Sequence, residues 1–273
     1  GIAGESIGGD SMSRAIKDAR ENPLVHGVIL RIESPGGAIT ASDSIAREVA
    51  LTVKAGKPVV VSMGSVAASG GYYIAAPADH IVASPATLTG SIGVIALSAE
   101  LSDLLERLSI GTDTVLSSPR ADFGTPFRAP TQEETALWNE YVQSGYRRFV
   151  ETVAAGRRMD PQEVHQVAQG RVWTGAQALE HGLVDSLGGI REAEEVMRET
   201  LGPTVRIHTF DVTPGASRFA FEQAMRWIIR SGTGAMVPDE VSAMVRDLGY
   251  LEHLGTGPMY LAPYRVPGIT ESR

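Results

Sequence analysis

The feature that most constrains the fold of this chain is an alternation of short β-branched runs with helical stretches over its first hundred residues. Strands are predicted at 25–32, 58–63 and 80–83, and the first is apolar enough to be buried on both faces. A helix is predicted at 40–55, and a small-residue stretch at 64–71 precedes a shorter helix. Such repeats favour right-handed crossovers, so we predict an α/β fold with a mostly parallel sheet and flanking helices.

The rest of the chain divides into a helical part and a different carboxyl-terminal part. One long helix is predicted at 131–158, and three shorter helices follow at about 161–168, 174–181 and 190–201. After Pro203 the pattern changes, and the last twenty or so residues are rich in glycine and proline. The 273 residues are enough for one large domain or two small ones. We predict an α/β domain at 1–200 and an extension at 201–273 that is helical and then extended.

Composition excludes several classes of function. The chain has 32 acidic residues against 24 lysines and arginines, and this balance argues against nucleic-acid binding, which needs clustered cations. The absence of cysteine excludes a thiol nucleophile, a disulfide framework and cysteine-bound zinc. No run of about 18 apolar residues occurs that would predict a membrane span. The chain opens at Gly1 without a signal peptide, which we interpret as a processed product or an excised piece.

Ser69 is the strongest candidate for a reactive side chain. It follows a strand and a small-residue stretch, and it stands where a helix is expected to begin. A hydroxyl at that position lies near unpaired N–H groups and the positive end of the helix dipole. Gly70 and Gly71 would let a substrate backbone approach, although Ala67 departs from the Gly-x-Ser-x-Gly elbow. The alternative is a tight strand-to-helix packing site in which only small residues fit.

A second loop, Ser-Pro-Gly-Gly at 34–37, follows the first predicted strand. In a parallel sheet both loops lie at the same carboxyl edge, where α/β folds bind their ligands. The backbone N–H groups of Gly37 and Gly70 could together hold the oxyanion of a tetrahedral intermediate. Alone, this loop would be an ordinary Pro-Gly turn. Two such loops at one edge favour acyl-transfer chemistry.

A general base for Ser69 is missing from the sequence pattern. His80 follows an aspartate, but neighbours on a strand point to opposite faces, so the pair predicts a strand-edge residue rather than a triad. A serine–lysine pair would need a buried lysine of lowered pKa. The chain has three lysines, and none is placed to reach the serine: Lys17 on an early helix, and Lys54 and Lys57 ahead of the second strand.

Five short motifs occur in order along residues 8–195. They are the Ser-Pro-Gly-Gly of 34–37, the Ala-Ala-Ser-Gly-Gly-Tyr of 67–72, the Thr-Leu-Thr-Gly-Ser-Ile-Gly of 87–93, the Val-Trp-Thr-Gly of 172–175 and the Gly-Leu-Val-Asp of 182–185. In order and spacing they resemble the signal peptide peptidase A family. The resemblance implies a crotonase/Clp-like fold with repeated ββα-type units.

The same resemblance implies a function and a location. Members of the family are membrane-bound, self-compartmentalising serine–lysine proteases. They cleave signal peptides left in the bacterial inner membrane after release from preproteins. We therefore expect a ring-shaped homo-oligomer at the periplasmic face of that membrane, with no cofactor and no metal.

The resemblance also assigns roles to individual residues. Ser69 would be the nucleophile, and Gly37 and Gly70 would form the oxyanion hole. Ala121 stands where short family members have their lysine, and Arg120 cannot replace it because a guanidinium does not deprotonate. This departure resembles the carboxyl half of the long tandem form, whose amino half supplies the lysine and the membrane anchor. We expect such an amino-terminal partner, and little activity without it.

Apolar peptides are the substrates that the resemblance implies. An extended peptide could pair with an exposed strand near Gly36 by β-augmentation. Small or apolar substrate side chains should be favoured at the cleavage site, given the surroundings that Ala67, Leu88 and Ile92 provide.

Two alternatives remain open. One is a crotonase-type acyl-CoA enzyme, which shares the fold and the paired N–H oxyanion hole but usually employs carboxylate bases. No aspartate or glutamate flanks Ser69 and Gly70. The other is a non-catalytic subunit of a ring with the same fold, which the missing lysine supports. A fluorophosphonate label on Ser69 would separate a hydrolase from both.

Overall fold

The computed structural model describes residues 8–96 and 100–208, which form one α/β unit. Its strands are β1 Val28–Ser34, β2 Val59–Ala68, β3 His80–Ala83, β4 Leu88–Gly90, β5 Val172–Thr174 and β6 Ser186–Leu187. Its helices are α1 Gly9–Glu21, α2 Ile39–Lys54, α3 Gly70–Ala75, α4 Ser102–Arg107, α5 Gln132–Arg157, α6 Pro161–Val167, α7 Gly175–Glu180 and α8 Ile190–Leu201.

The six described strands form one sheet with β2 at its centre. Strand β2 pairs in parallel with β1, β3 and β4, and β3 pairs in parallel with β6. Among the described strands, only β4 and β5 are antiparallel neighbours. The predicted α/β fold with a mostly parallel sheet and flanking helices is confirmed.

Strand β2 is longer than predicted. It pairs with β3 over Val60–Ser62 and continues past Met63 to pair with β4 over Val66–Ala68. The sequence placed a loop here because glycine, serine and alanine are weak strand formers. In the structure, side chains of neighbouring strands satisfy the backbone of this stretch, so the strand extends to the residue before Ser69.

The sheet is covered on both faces because alternate side chains of β2 pack into different clusters. Val59, Val61 and Met63 belong to the main core, which also holds Ile81 and the fully buried Tyr72. A smaller cluster on the other face contains residues of β2, β3 and α8: Val60, Val82, Ala193 and Met197. This packing fixes the central strand, and with it the loops that follow its carboxyl end.

The prediction that the first strand is buried on both faces holds only for its first half, where Val28 and Leu30 pack against the main core and Ile29 packs against the smaller cluster. Within the described residues β1 pairs only with β2, so it is an edge strand. Ile32 is buried, whereas Arg31 and Glu33 are exposed. The exposed face therefore carries charged side chains, which suits an edge.

Helix bounds follow the predictions to within a residue or two for α2, α5, α6 and α8. At the start of α1, Gly8 is the N-cap residue and the acidic Asp10 lies in the first turn. The chain divides into two units at Gly215, and the described residues lie in the first. Most of the predicted extension at 201–273 lies outside the described residues.

Candidate active site

Ser69 lies at the junction of β2 and α3, where it is the N-cap residue of the helix. Its φ of 51° and ψ of −118° are unusual for a residue with a side chain, a conformation that costs about 1–3 kcal/mol. Two hydrogen bonds hold it there: its N–H donates to Gly90 at 2.9 Å, and its carbonyl accepts from Tyr73 at 2.8 Å. Its side chain makes no capping bond to the helix. The hydroxyl is thus displayed at the carboxyl edge of the sheet.

The loop after β1 lies directly against Ser69. Gly36 has a φ of 114°, and a Cβ on it would stand 2.8 Å from the Ser69 Cβ and 3.2 Å from its Oγ. It would also stand 3.0 Å from the backbone nitrogen of Gly70. Both the backbone conformation and the close approach require glycine at position 36. The two loops that the sequence placed at one edge are in contact.

Gly37 and Gly70, the predicted oxyanion-hole residues, are adjacent. A Cβ on Gly70 would stand 3.1 Å from the backbone nitrogen of Gly37. Gly70 is the first residue of α3, so no preceding helical turn accepts its N–H. Neither N–H donates to another group within residues 8–96 and 100–208. The pair is available to bind an oxygen, and its role stays a prediction.

Helix α3 is anchored by two tyrosines that sequence reasoning missed. Tyr72 is fully buried and donates its hydroxyl to the carbonyl of Leu183 at 2.8 Å, and burial raises its pKa. The hydroxyl of Tyr73 donates to Asp43 at 2.9 Å and accepts from Thr152 at 3.0 Å. Burial, first among several causes, also raises the pKa of Tyr73. The helix that begins after Ser69 is therefore tied to α2 and α5.

The predicted substrate-contact residues differ in exposure. Gly36 touches Ser69, as described above, and Leu88 on β4 is 46% exposed. Ala67 and Ile92 are fully buried in the core. A fully buried side chain supports the wall of a site rather than its surface. Of the predicted apolar contacts, Leu88 is the one whose side chain a peptide could reach in this conformation.

The histidine and lysines considered as bases lie elsewhere. His80 begins β3 and pairs with Val60, near the amino end of the sheet, and its Nε2 lies 2.9 Å from the Ser186 Oγ. Lys57 donates to two backbone carbonyls near the end of α1, at 2.6 and 3.1 Å. Lys17 lies 3.9 Å from Glu21 on its own helix. Lys54 is in the last turn of α2. Within the part of the chain that the structure describes, none of these four side chains is hydrogen-bonded to Ser69.

Ala121, which the sequence resemblance places at the position of the family's lysine, is exposed in a turn. The surrounding loop is held by Arg128, which donates to both oxygens of Asp122 and to both oxygens of Glu134 at 2.7–2.9 Å. These bonds, and those from Thr131, hold the pKa of Glu134 at about 2. Arg128 thus joins the loop around Ala121 to the first turn of α5.

Comparison with known proteins identifies the family. The profile of Peptidase family S49 matches residues 52–203. Protease 4 of Salmonella typhi is 45% identical over 188 residues, which are 69% of this chain and 30% of that protein. The putative signal peptide peptidase SppA of Enterococcus faecium is 38% identical over 248 residues, which are 90% of this chain and 71% of that protein.

Among solved structures, a mutant ClpP1 from Listeria monocytogenes has a TM-score of 0.44 and 13% identity, covering 68% of this chain and 86% of that one. No helix within residues 8–96 and 100–208 is long and apolar enough to span a bilayer.

The family indicated by the sequence motifs is confirmed by the profile match and by the two relatives. On these matches, the chain belongs to peptidase family S49.

Proposed function

We propose that this chain carries the nucleophile of a serine endopeptidase, with Ser69 as the attacking residue. The observation that carries the proposal is the contact between two glycine loops around a strained serine. Ser69 has a positive φ, and Gly36 lies against its Cβ and Oγ. Strained residues persist only where the surrounding structure over-determines them, and they cluster at active sites.

The chemistry divides between the hydroxyl and the backbone. The Ser69 Oγ would attack the carbonyl carbon of a peptide bond and pass its proton to a base, forming a tetrahedral intermediate. The N–H groups of Gly37 and Gly70 would stabilise the negative oxygen of that intermediate. Departure of the amine, protonated by the same base, would leave an acyl-enzyme that water hydrolyses.

The base in this proposal is a neutral lysine from outside the chain. Support comes from Ala121, at the position that the resemblance gives to the family's lysine, and from the three lysines of this chain, none of which is hydrogen-bonded to Ser69. The donor would be another part of a longer protein or a neighbouring subunit. Burial would lower the pKa of that lysine, so hydrolysis should rise with pH as it deprotonates.

For the substrate we propose apolar peptides of the signal-peptide type, cleaved at the periplasmic face of a bacterial inner membrane by a ring of subunits. The support is the sequence resemblance and the name of the Enterococcus relative. The half-exposed Leu88, paired with Val66 three residues before Ser69, would favour small or apolar side chains near the scissile bond. Peptides cleaved mainly beside charged residues would contradict this specificity.

Replacing Ser69 by alanine in the full-length protein tests the nucleophile. Peptide hydrolysis should fall on the order of 10³-fold or more, with assembly intact, because only a hydroxyl is removed. Labelling by a fluorophosphonate should disappear. Ser109→Ala is the matched control, since Ser109 also has a positive φ, of 56°, and lies in the exposed segment after α4. Hydrolysis that survives Ser69→Ala would end the proposal.

The same label separates the alternatives. A crotonase-type acyl-CoA enzyme should not be modified at Ser69. Full-length protein that is never labelled, with or without a partner subunit, would instead favour a non-catalytic member of the family.

A further inference from the structure

Strand β2 changes register with β1 shortly before it ends. Ile32 pairs with Met63, whereas Ser34, two residues further along β1, pairs with Ala67, four residues further along β2. Strand β2 therefore has two more residues than β1 between these pairs, and the segment 64–66 carries the irregularity. We call this segment the β2 bulge. Bulges bend a strand and re-aim the residues that follow.

Glu33 lies between Ile32 and Ser34, the two residues of β1 on either side of the register change. Its carboxylate accepts the hydrogen bonds for which β1 offers no backbone partner. Its Oε2 accepts a hydrogen bond from the N–H of Ser65 at 2.8 Å, and its Oε1 accepts one from the N–H of Val66 at 3.0 Å. Bonds from backbone N–H groups to a carboxylate are among the stronger ones in proteins. Gly64 makes room for this side chain, since a Cβ there would overlap the carboxylate.

The neighbouring backbone carbonyls are held as well. Arg31, on the same face of β1 as Glu33, donates to the carbonyl just before the bulge at 2.9 Å. The buried hydroxyls of Thr87 and Thr89 donate at 2.7 Å to the carbonyls of Gly64 and Ala67. Side chains on both sides of β2 thus bind the backbone of the bulge, and the Glu33 carboxylate accepts the hydrogen bonds of two of its N–H groups.

We propose that Glu33 is a positioning residue for Ser69, and the inference rests on the proposed role of Ser69 as nucleophile. The carboxylate acts through the backbone: it fixes Val66, three residues before the serine. The end of β2 then presents the hydroxyl beside Gly36. A misplacement of about 1 Å at a reacting group costs on the order of 100-fold in rate, so the angle of this strand end matters.

Glu33→Gln in the full-length protein tests this role. The amide has the same shape, but it keeps one acceptor and turns an NH₂ group toward an N–H donor. The kcat for peptide hydrolysis should fall by about 10- to 100-fold, and fluorophosphonate labelling of Ser69 should slow by a similar factor. KM should stay within about twofold, because peptide contacts are unchanged.

Asp79→Asn is the matched control. The Asp79 Oδ2 accepts a 2.9 Å bond from the N–H of Val59, so it also holds the backbone of β2, but at the start of the strand. This variant should lower the melting temperature without lowering kcat. Equal losses of kcat in the two variants would reduce Glu33 to a structural residue and overturn the proposal.

Gly64→Ala should disturb the same interaction of the Glu33 carboxylate from the other side. The added methyl group displaces the Glu33 carboxylate, so this variant should reproduce the loss of kcat seen in Glu33→Gln. The double variant should be no worse than the more severe single variant, because both remove one interaction. Additive losses would contradict the shared cause.

Amide hydrogen exchange separates failure of this inference from failure of the proposed function. Glu33→Gln should speed exchange in a peptide over 64–68 and leave one over 59–62 unchanged. Unchanged exchange and unchanged kcat would overturn the positioning role. Wild-type protein that neither hydrolyses peptides nor is labelled would overturn the peptidase proposal, and exchange would still show whether Glu33 holds the bulge.

Discussion

The two edges of the sheet carry different kinds of residue. At the carboxyl edge, Ser69 and Gly36 have positive φ values of 51° and 114° and lie in contact. Near the amino edge, Lys57, Asp79 and His80 line an open cleft of about 400 Å³. Each of those three side chains lies within hydrogen-bonding distance of a partner: backbone carbonyls, a backbone N–H and a serine hydroxyl. At the amino edge these three titratable side chains are engaged with structural partners, whereas at the carboxyl edge the backbone at Gly36 and Ser69 has positive φ values.

On the proposed role of Ser69 as nucleophile, this difference indicates which signals mark the reactive site. Histidine, lysine and aspartate are the usual catalytic residue types, yet in this cleft they hold strands and helices together. The serine edge has no titratable group beside the hydroxyl among the contacts described. It has strained backbone at Ser69, and among the residues that the structure describes the N–H groups of Gly37 and Gly70 have no acceptor. We infer that in this fold the geometry of the backbone indicates the site better than the residue types do.

Of the changes that test this comparison, Gly36→Ala is expected to lower peptide hydrolysis the most. Gly36→Ala adds a methyl group 2.8 Å from the Ser69 Cβ, so activity should fall by about 100-fold or more. Gly56→Ala is the control near the amino edge: its φ is 81°, and nothing lies within 4 Å of its Cβ position. Both variants should lose about 1–2 kcal/mol of stability from the left-handed backbone. Peptide hydrolysis and thermal unfolding measure the two effects, and equal losses of activity would break the comparison.

Local patterns explain what the sequence could predict. The β-branched run at 80–83 is strand β3, and the helix ending at Leu201 has its predicted bounds, because each is set by periodicity within a few residues. The placement of Ser69 between a strand and a helix was predictable for the same reason. The contact between Gly36 and Ser69 followed from one topological rule, that parallel strands end at a common edge.

What the sequence could not predict depends on partners far apart in the chain. The extension of β2 through Ala68 requires acceptors and donors from Glu33 and Thr87, which are more than twenty residues away. Asp43 contacts Arg148 across 105 positions. No periodicity encodes such pairs. The local signal was a pair of charged residues, Arg31 and Glu33, at the end of an apolar run, which a strand at the edge of a sheet would explain equally well.

Two buried threonines test the same comparison, and the expected effect on activity is smaller. Thr89 donates to the carbonyl of Ala67 at 2.7 Å, and Thr52 donates to the carbonyl of Glu48 at 2.8 Å within α2. Valine at either position should cost about 1 kcal/mol of stability, since one hydrogen bond is lost. Only Thr89→Val should also lower kcat, by a few-fold, because it frees the strand end before Ser69. A loss of kcat in Thr52→Val would show that general destabilisation, not position, is responsible.

The smallest expected effect concerns the three lysines, which we place outside the catalytic machinery. Arginine keeps the positive charge and the donors but does not deprotonate in proteins, so a Lys→Arg change removes a general base without removing a cation. Lys57→Arg can still donate to the carbonyls of Ala19 and Asn22, and Lys54 and Lys17 lie on helices α2 and α1. A full-length protein with all three changes should therefore hydrolyse peptides at the wild-type rate and keep its pH profile. If the base were one of these lysines, the rising limb of that profile would vanish together with the activity. Loss of hydrolysis from Lys57→Arg alone, in protein that still melts near the wild-type temperature, would move the base into this chain and overturn the division between the two edges.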